Sequence, residues 1–417
     1  MCGQRVLDGS QLTQCHVAMH GSHQSVTRFP PVGHNRRRSS RGSEVFMVNV
    51  LYDDEIFSIQ IQGGISRYFT ELIEGLTAFP DVKVRLPFPL TCNQYAAESR
   101  RFPMYLFCGG RSVPGRRTLT RMINRRATAF ALGRGKPDIV HATLYDETLL
   151  DRIEPAKLVI TVHDMVPELM PEAVGGIEPA FRRAKQSLIA KAAGLVAISA
   201  NTAADIARLT HRPIDTIKVI HHGVSERMRW NPQLSDPPAL PERFLLCVGP
   251  RRAYKNFLGV APAIVQVMQA EADLALVCFG GGPFTAEEQA VFETAGVGGR
   301  LIATGGDDRA LAAAYAHAVA LIYPSLYEGF GMPILEAMLN RCPVIVPKRS
   351  CFPEIAEDAA IYFDPTDLDG LVENLTLVLR DAALRRHLGE AGVCRAAAFN
   401  WQHCAAEHAS LYRSLAE

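Results

Sequence analysis

The stretch Tyr323-Pro-Ser-Leu-Tyr-Glu328-Gly-Phe-Gly-Met-Pro-Ile-Leu-Glu336-Ala-Met decides how this chain is read. An apolar run over residues 318–324 leads into it, and a second run, 343–347, follows it. Between them Pro333 sits where a helix should start, because proline is favoured at the first helical position. The helix then covers residues 334–340. Its amino end offers free N–H groups and a partial positive charge, a natural seat for an anion. The order is strand, glycine-bearing loop, helix, strand.

The same alternation extends in both directions. Apolar runs fall at 45–51, 82–86, 139–141, 158–163, 195–199 and 217–221, with amphipathic stretches such as 66–76 and 180–191 between them. A second series falls at 244–249, 274–280, 301–303, 318–324, 343–347 and 361–363. Continuous apolar strands separated by helices mean parallel sheets covered on both faces. Two such series predict an α/β chain of two Rossmann-like, doubly wound domains, over residues 44–229 and 242–400. Between them, residues 230–241 carry Pro232, Pro237, Pro238 and Pro241, which cannot continue helix or sheet and read as a linker. Residues 401–417 read as a closing helix. Residues 1–43 lack periodicity and read as a disordered basic extension. Without an apolar core this extension is no secretory signal. The alternatives are an Arg-rich transit peptide, or sequence upstream of a start at Met47.

Composition narrows the class. At 417 residues, 48% apolar and 21% charged, the chain is ordinary globular protein with room for two cores. No window approaches the ~20 apolar residues of a membrane span. The ten cysteines form no Cys-x-x-Cys pair, which argues for reduced thiols in a cytoplasmic protein and against zinc. The net charge of +1 is uneven: residues 1–43 carry +5, residues 99–137 carry +10, and the remainder −14. Such asymmetry points to an anionic partner for one region. Residues 116–130 form a plausible helix with Leu119, Met122, Ile123 and Phe130 on one side and Arg117, Arg121 and Arg125 on another. It either lies on an anionic membrane or packs its apolar side on its own sheet. No base-stacking motif accompanies it, so nucleic acid is not expected.

Ligands in open parallel sheets bind beyond the carboxyl ends of the strands. In the second series those ends carry Gly249-Pro-Arg251-Arg252-Ala-Tyr-Lys255, Phe279-Gly-Gly281-Gly282-Pro283, Gly305-Gly306 and the opening stretch. Glycines there admit close backbone approach and Arg251, Arg252 and Lys255 add positive charge, a combination that suits a diphosphate. A glycine after a strand is by itself only a turn; the recurrence at successive strand ends is the signal. Glu336 either complements its helix dipole or accepts ribose hydroxyls. Asp53-Asp54-Glu55 reads as a solvated loop, and no metal site is expected. No Gly-x-Gly-x-x-Gly follows the first strand of either series, which excludes a nicotinamide enzyme.

Two glutamates separated by seven residues, Glu328 and Glu336, around a Gly-Phe-Gly core with a following Pro, closely resemble the signature of glycosyltransferase family 4, of the GT-B fold. The resemblance spans roughly residues 45–417. It implies two facing domains, a closing helix that crosses back to the first, and retaining transfer of a sugar from a nucleotide-sugar, without cofactor or metal. It implies further that Gly63 and Gly64 approach the donor, that His163 lies near the transferred sugar, and that Ser199 lies near the cleft. Lys255 with Arg251 or Arg252 would hold the diphosphate beside Gly249, Gly281 and Gly282. Gly329, Phe330, Gly331 and Met332 would line the donor, with Glu336 on the ribose and Glu328 on the sugar. The strings Tyr254-Lys-Asn-Phe257 and His163-Asp-Met-Val-Pro-Glu168 resemble members that act in surface-polysaccharide assembly, which leans towards mannose from GDP-mannose and a glycan or lipid-linked acceptor. The competing expectations are a sugar-nucleotide epimerase of the same fold and an inactive nucleotide-sugar-binding protein.

Overall fold

The computed structural model describes residues 47–99, 102, 104–106, 113–172, 179–233, 239–251 and 253–417. The expectations for residues 1–43, for Arg252 and for part of the proline-rich stretch lie outside the described residues. Two parallel six-stranded sheets organise the rest. The first takes its strands from β1 (Val48–Tyr52), β2 (Val82–Arg85), β3 (Ile139–Ala142), β4 (Lys157–Val162), β5 (Gly194–Ala197) and β6 (Ile217–Val219), in the order β2-β1-β3-β4-β5-β6. The second uses β7 (Phe244–Val248), β8 (Ala275–Phe279), β9 (Leu301–Thr304), β10 (Ala320–Ile322), β11 (Val344–Pro347) and β12 (Ile361–Phe363), in the order β9-β8-β7-β10-β11-β12. Central strands such as β3, β5, β8 and β11 are buried along their whole length, which is why the sequence reads as continuous apolar runs rather than alternation. Strand order reverses between β1 and β3 in one sheet and between β7 and β10 in the other. Those switch points are where crevices open in doubly wound sheets.

Helix α1 (Gly64–Leu76) follows β1, and α2 (Arg116–Gly135) follows the short ladder of Leu90–Thr91 with Tyr105–Leu106, which the sequence pattern did not foretell. Helix α3 (Ala200–Thr210) follows β5, α4 (Asp308–His317) follows β9, and α5 (Met332–Leu339) follows β10. The last helix, α6 (Trp401–Ala416), returns to the first sheet, where Trp401, Cys404, Ala405, Ala409 and Tyr412 join Tyr52, Tyr68 and Phe69 in one core.

Two expectations are corrected here. Asp53, Asp54 and Glu55 are buried, not solvated. Asp53 accepts from the Thr143 amide, Asp54 from the hydroxyls of Ser58 and Thr128, and Glu55 pairs with Arg121. Consequently α2 turns its polar side inward, because Thr120, Asn124 and Thr128 recur every fourth residue and meet this acidic loop and the Leu90 backbone. The expected packing of its apolar side on its own sheet does not occur: Leu119, Met122, Ile123 and Phe130 are exposed, Phe130 at 62%.

Helix α6 is tied down by a buried relay whose direction can be deduced. The His408 Nδ1–H donates to the Cys404 carbonyl at 2.8 Å, so in the neutral ring Nε2 accepts from the Tyr68 hydroxyl at 2.9 Å. Tyr68 then accepts from Thr161, Thr161 from His141 Nε2–H, His141 Nδ1 from Tyr412, and Tyr412 from Tyr52. Every link is satisfied only while both rings are neutral. Burial keeps them so, pushing His408 down to about 4 and His141 well below its ordinary value. The unfolded chain takes up protons below about 6.5 whereas the folded His408 does so only near 4. Stability from this group is therefore complete above pH 6.5 and lost as pH falls towards 4, by about 1.4 kcal/mol per pH unit for each such histidine. Thermal unfolding from pH 7 to 4.5 should show a falling midpoint, shallower in His408→Gln; a flat profile in the native chain would contradict the neutral relay.

Candidate active site

The two switch points face each other across a cleft, and the predicted site residues distribute themselves around it. From the second sheet, β7 ends at Gly249 and leads into a short turn over Ala253–Lys255. Next to it β10 ends before Tyr323 and continues into Glu328. The two loops meet: the Lys255 ammonium pairs with Glu328 Oε1 and lies 3.2 Å from the Tyr323 hydroxyl, which itself donates to Glu328 Oε1 at 2.7 Å. Burial opposes the charge on Lys255, but Tyr323 and Glu328 outweigh it and hold the ammonium above its ordinary value. A fixed positive charge thus stands at the carboxyl edge of the sheet.

Arg251 lies elsewhere. Its guanidinium stacks on Phe284, pairs with Glu288 at 2.9 Å, and donates to the carbonyls of Gly280, Gly282 and Pro283. It is committed to the turn after β8 rather than to a bound diphosphate. That turn runs through Gly280, Gly281 and Gly282, all with positive φ, and a Cβ on Gly281 would come within 2.7 Å of the Gly249 carbonyl. The missing side chain lets the two loops pack.

Helix α5 opens from Gly331 in the left-handed region and begins at Met332, with Pro333 in its first turn. Phe330 is buried against His222 and Phe399, so it supports the loop from behind and does not line the cleft. Glu336, one turn along α5, is buried. Its Oε2 accepts from the Tyr315 hydroxyl at 3.0 Å and its Oε1 from Arg67 Nη1 at 2.7 Å. Burial raises this carboxyl and Arg67 pulls it back down.

Arg67 belongs to the other side of the cleft. Gly63 and Gly64 start α1, and Arg67 projects from its first turn to Glu336, to Asp308 at 2.5 Å and to the Tyr95 hydroxyl at 2.9 Å. The motif Gly63-Gly64-Ile65-Ser66-Arg67 therefore contains a site residue that sequence reasoning passed over, although its place one turn beyond the glycines was a usable signal. Tyr315 and Asp308 gave no local signal, since each reaches the site through the fold and not through spacing. Arg67, Tyr95 and Asp308 also wall a cavity of about 480 Å³ shared with Gln62, Gln94, Trp230 and Arg309.

His163 ends β4, buried, with burial and then Lys185 pushing it down to about 3. It is neutral at pH 7, and its Nε2 has no protein partner. Its carbonyl touches the Glu328 loop so closely that a Cβ on Gly329 would lie 1.7 Å from the oxygen. Ser199 is the N-cap of α3, bonded to the Thr202 amide at 3.0 Å, and Thr202 in turn donates to the Gly329 carbonyl. It positions the cleft wall rather than facing a ligand. The site thus holds a part-buried ammonium, a helix amino end, two carboxylates and a neutral imidazole, which suits an anionic group flanked by hydroxyl-rich rings.

Comparison with known proteins agrees. The family described as Glycosyltransferase Family 4 matches residues 62–227, and that described as Glycosyl transferases group 1 matches residues 234–393. The O-antigen chain mannosyltransferase B of Escherichia coli is 37% identical over 101 residues, 24% of this chain and 26% of that protein. The serotype-specific mannosyltransferase WbdA of Escherichia coli is 26% identical over 303 residues, 67% of this chain and 37% of that protein. The chain thus spans well under half the length of these relatives. Among solved structures, sucrose-phosphate synthase from Thermosynechococcus elongatus superposes with a TM-score of 0.67 at 20% identity, covering 88% of this chain and 99% of that one, which speaks for the fold. With one family description over each sheet and the Glu328 to Glu336 signature at the cleft, the chain belongs to glycosyltransferase family 4, the group 1 glycosyl transferases of GT-B fold.

Proposed function

We propose that this chain is a retaining hexosyltransferase that takes a sugar from a nucleotide-sugar donor. The observation that carries the reading is the meeting of Lys255 with Glu328 at the second switch point, one helical amino end away from Glu336. A nucleotide-sugar has a ribose, a diphosphate and a sugar in that order. Glu336 supplies an acceptor for the ribose, Lys255 and the amino end of α5 meet the diphosphate, and Glu328 and His163 face the sugar. As the sugar leaves, charge builds on the diphosphate. A preformed ammonium and the positive end of α5 stabilise it there without reorganising. The neutral His163 exchanges hydrogen bonds with a sugar hydroxyl and adds no charge of its own. No cofactor is invoked; the nucleotide-sugar is a substrate.

The named mannosyltransferases among the relatives support mannose as the sugar; GDP-mannose as its donor and a glycan or lipid-linked acceptor of surface polysaccharide complete the proposal. Lys255→Ala and Glu336→Ala should each weaken nucleoside diphosphate binding by about 10- to 100-fold, the range of a lost charge-assisted hydrogen bond. Binding unchanged in both variants, measured by calorimetry, would overturn the assignment. A thermal-shift series with UDP-, GDP- and ADP-sugars ranks the donors, and the largest shift is expected with GDP-mannose.

A lipid-linked acceptor calls for a cytoplasmic enzyme at the inner face of the membrane. Helix α2 supports that placement, with Met122 and Phe130 exposed at 47% and 62% beside Arg117 and Arg126. Among the described residues no helix is long and apolar enough to cross a membrane. Vesicles rich in phosphatidylglycerol should carry the protein to the top of a density gradient at low salt and release it at high salt. Met122→Asp combined with Phe130→Asp should abolish flotation; no flotation of the native chain removes the membrane role.

A further inference from the structure

Arg67 and Glu336 join the two sides of the cleft directly, at 2.7 Å. Arg67 stands on α1, Glu336 on α5, and the cleft lies between them. The guanidinium spends one arm on Glu336 Oε1 and the other on Asp308 and the Tyr95 hydroxyl. Partners spread over both terminal nitrogens suit the planar fork of arginine better than the point charge of lysine. The bound carboxylate keeps its orientation because Tyr315 holds the second oxygen from the opposite direction. Each carboxylate oxygen has two acceptor positions. One on each is taken, by Arg67 and by Tyr315. One on each remains, and two adjacent acceptors match the two neighbouring hydroxyls of a ribose.

We infer that Arg67 is a positioning residue of the donor site, which reaches across the cleft to orient the Glu336 carboxylate for a ribose diol, so that the ribose seat is complete only when the first sheet's side has closed on the second. This rests on the reading of Glu336 as the ribose acceptor. Two features strengthen it. Glu336 is buried, and burial favours its protonated form; the Arg67 guanidinium acts in the opposite direction and favours the carboxylate. Asp308 and Tyr95 neutralise and brace the remainder of the guanidinium, so its aim does not depend on Glu336 alone.

The test compares GDP and UDP with their 2′-deoxy forms by calorimetry on the full chain and on Glu336→Ala, Arg67→Ala, Arg67→Lys and Asp308→Asn, each checked for native thermal unfolding. Arg67→Ala should weaken GDP or UDP binding at least 10-fold, and Arg67→Lys should recover less than half of that loss on a logarithmic scale. Asp308→Asn, which loosens the fork without touching Glu336, should weaken binding less and in the same direction. The native protein should discriminate against the 2′-deoxy nucleotide, and Arg67→Ala should erase that discrimination, an effect that loss of structure alone does not produce. The pH below which binding fades should also move upward in Arg67→Ala. Tighter binding in Arg67→Ala would mean that Arg67 competes with the ribose, and would overturn the inference. So would unchanged binding in Arg67→Ala while Glu336→Ala is weakened. If the native chain binds neither GDP nor UDP, or Glu336→Ala binds both as well as the native chain does, the donor-site reading itself is what fails.

Discussion

A backbone oxygen of His163 occupies the space where any side chain on Gly329 would begin. Much of the cleft follows from this one close approach. The end of β4 and the loop after β10 come from different sheets, and they meet with no side chain between them. That contact sets the spacing across the cleft. It brings the neutral His163 beside Glu328, lets Thr202 reach the Gly329 carbonyl, and leaves Arg67 within hydrogen-bonding distance of Glu336. A glycine in a loop is commonly explained by its freedom of φ. Here the reason is bulk, because the opposing atom is backbone and cannot move aside as a flexible side chain would.

The architecture was legible because fully buried parallel strands leave an unmistakable mark, a run of apolar residues between helical patterns. The strand runs in both series recur in the structure within a few residues. The closing helix was also legible, but its attachment was not. The relay through Tyr52, Tyr412, His141, Thr161, Tyr68 and His408 draws on five separate elements, and no local pattern in sequence marks residues that meet only through the fold. The same limit explains the acidic loop. Three consecutive acids after a strand look solvated until Thr128, Thr143 and Arg121 arrive from elsewhere to satisfy them.

At the site the sequence located residues better than it assigned them. Lys255 and Glu328 meet at one sheet edge, and Glu336 is met by Arg67 from the first sheet's side. Arg251 shares the loop of Lys255, yet a neighbouring acid, Glu288, and three carbonyls draw it to the other side. Charge near a strand end is therefore not sufficient for phosphate binding; the direction of the side chain decides. Helix α2 makes the same point in reverse. Its apolar residues could be read correctly as a face, but which face turns inward was decided by hydrogen-bond demand from Asp54 and Leu90 rather than by apolar burial.

The contacts that hold the two sheets together differ in kind, and the difference has a functional meaning. Helix α6 is fixed by a large apolar core and a saturated buried relay, neither of which water replaces without cost. Across the mouth of the cleft the contacts are polar and exchangeable. Glu354, from the second sheet's side, accepts from the free amides of Ala200 and Asn201 at the start of α3 and pairs with His221. Tyr327 donates to Asp205, and Arg67 spans to Glu336 and Asp308. Exchanging such a charge-assisted bond for water changes stability by about 1.5 to 3 kcal/mol. The firm attachment thus lies at α6, and the exchangeable contacts lie between the carboxyl ends of the two sheets.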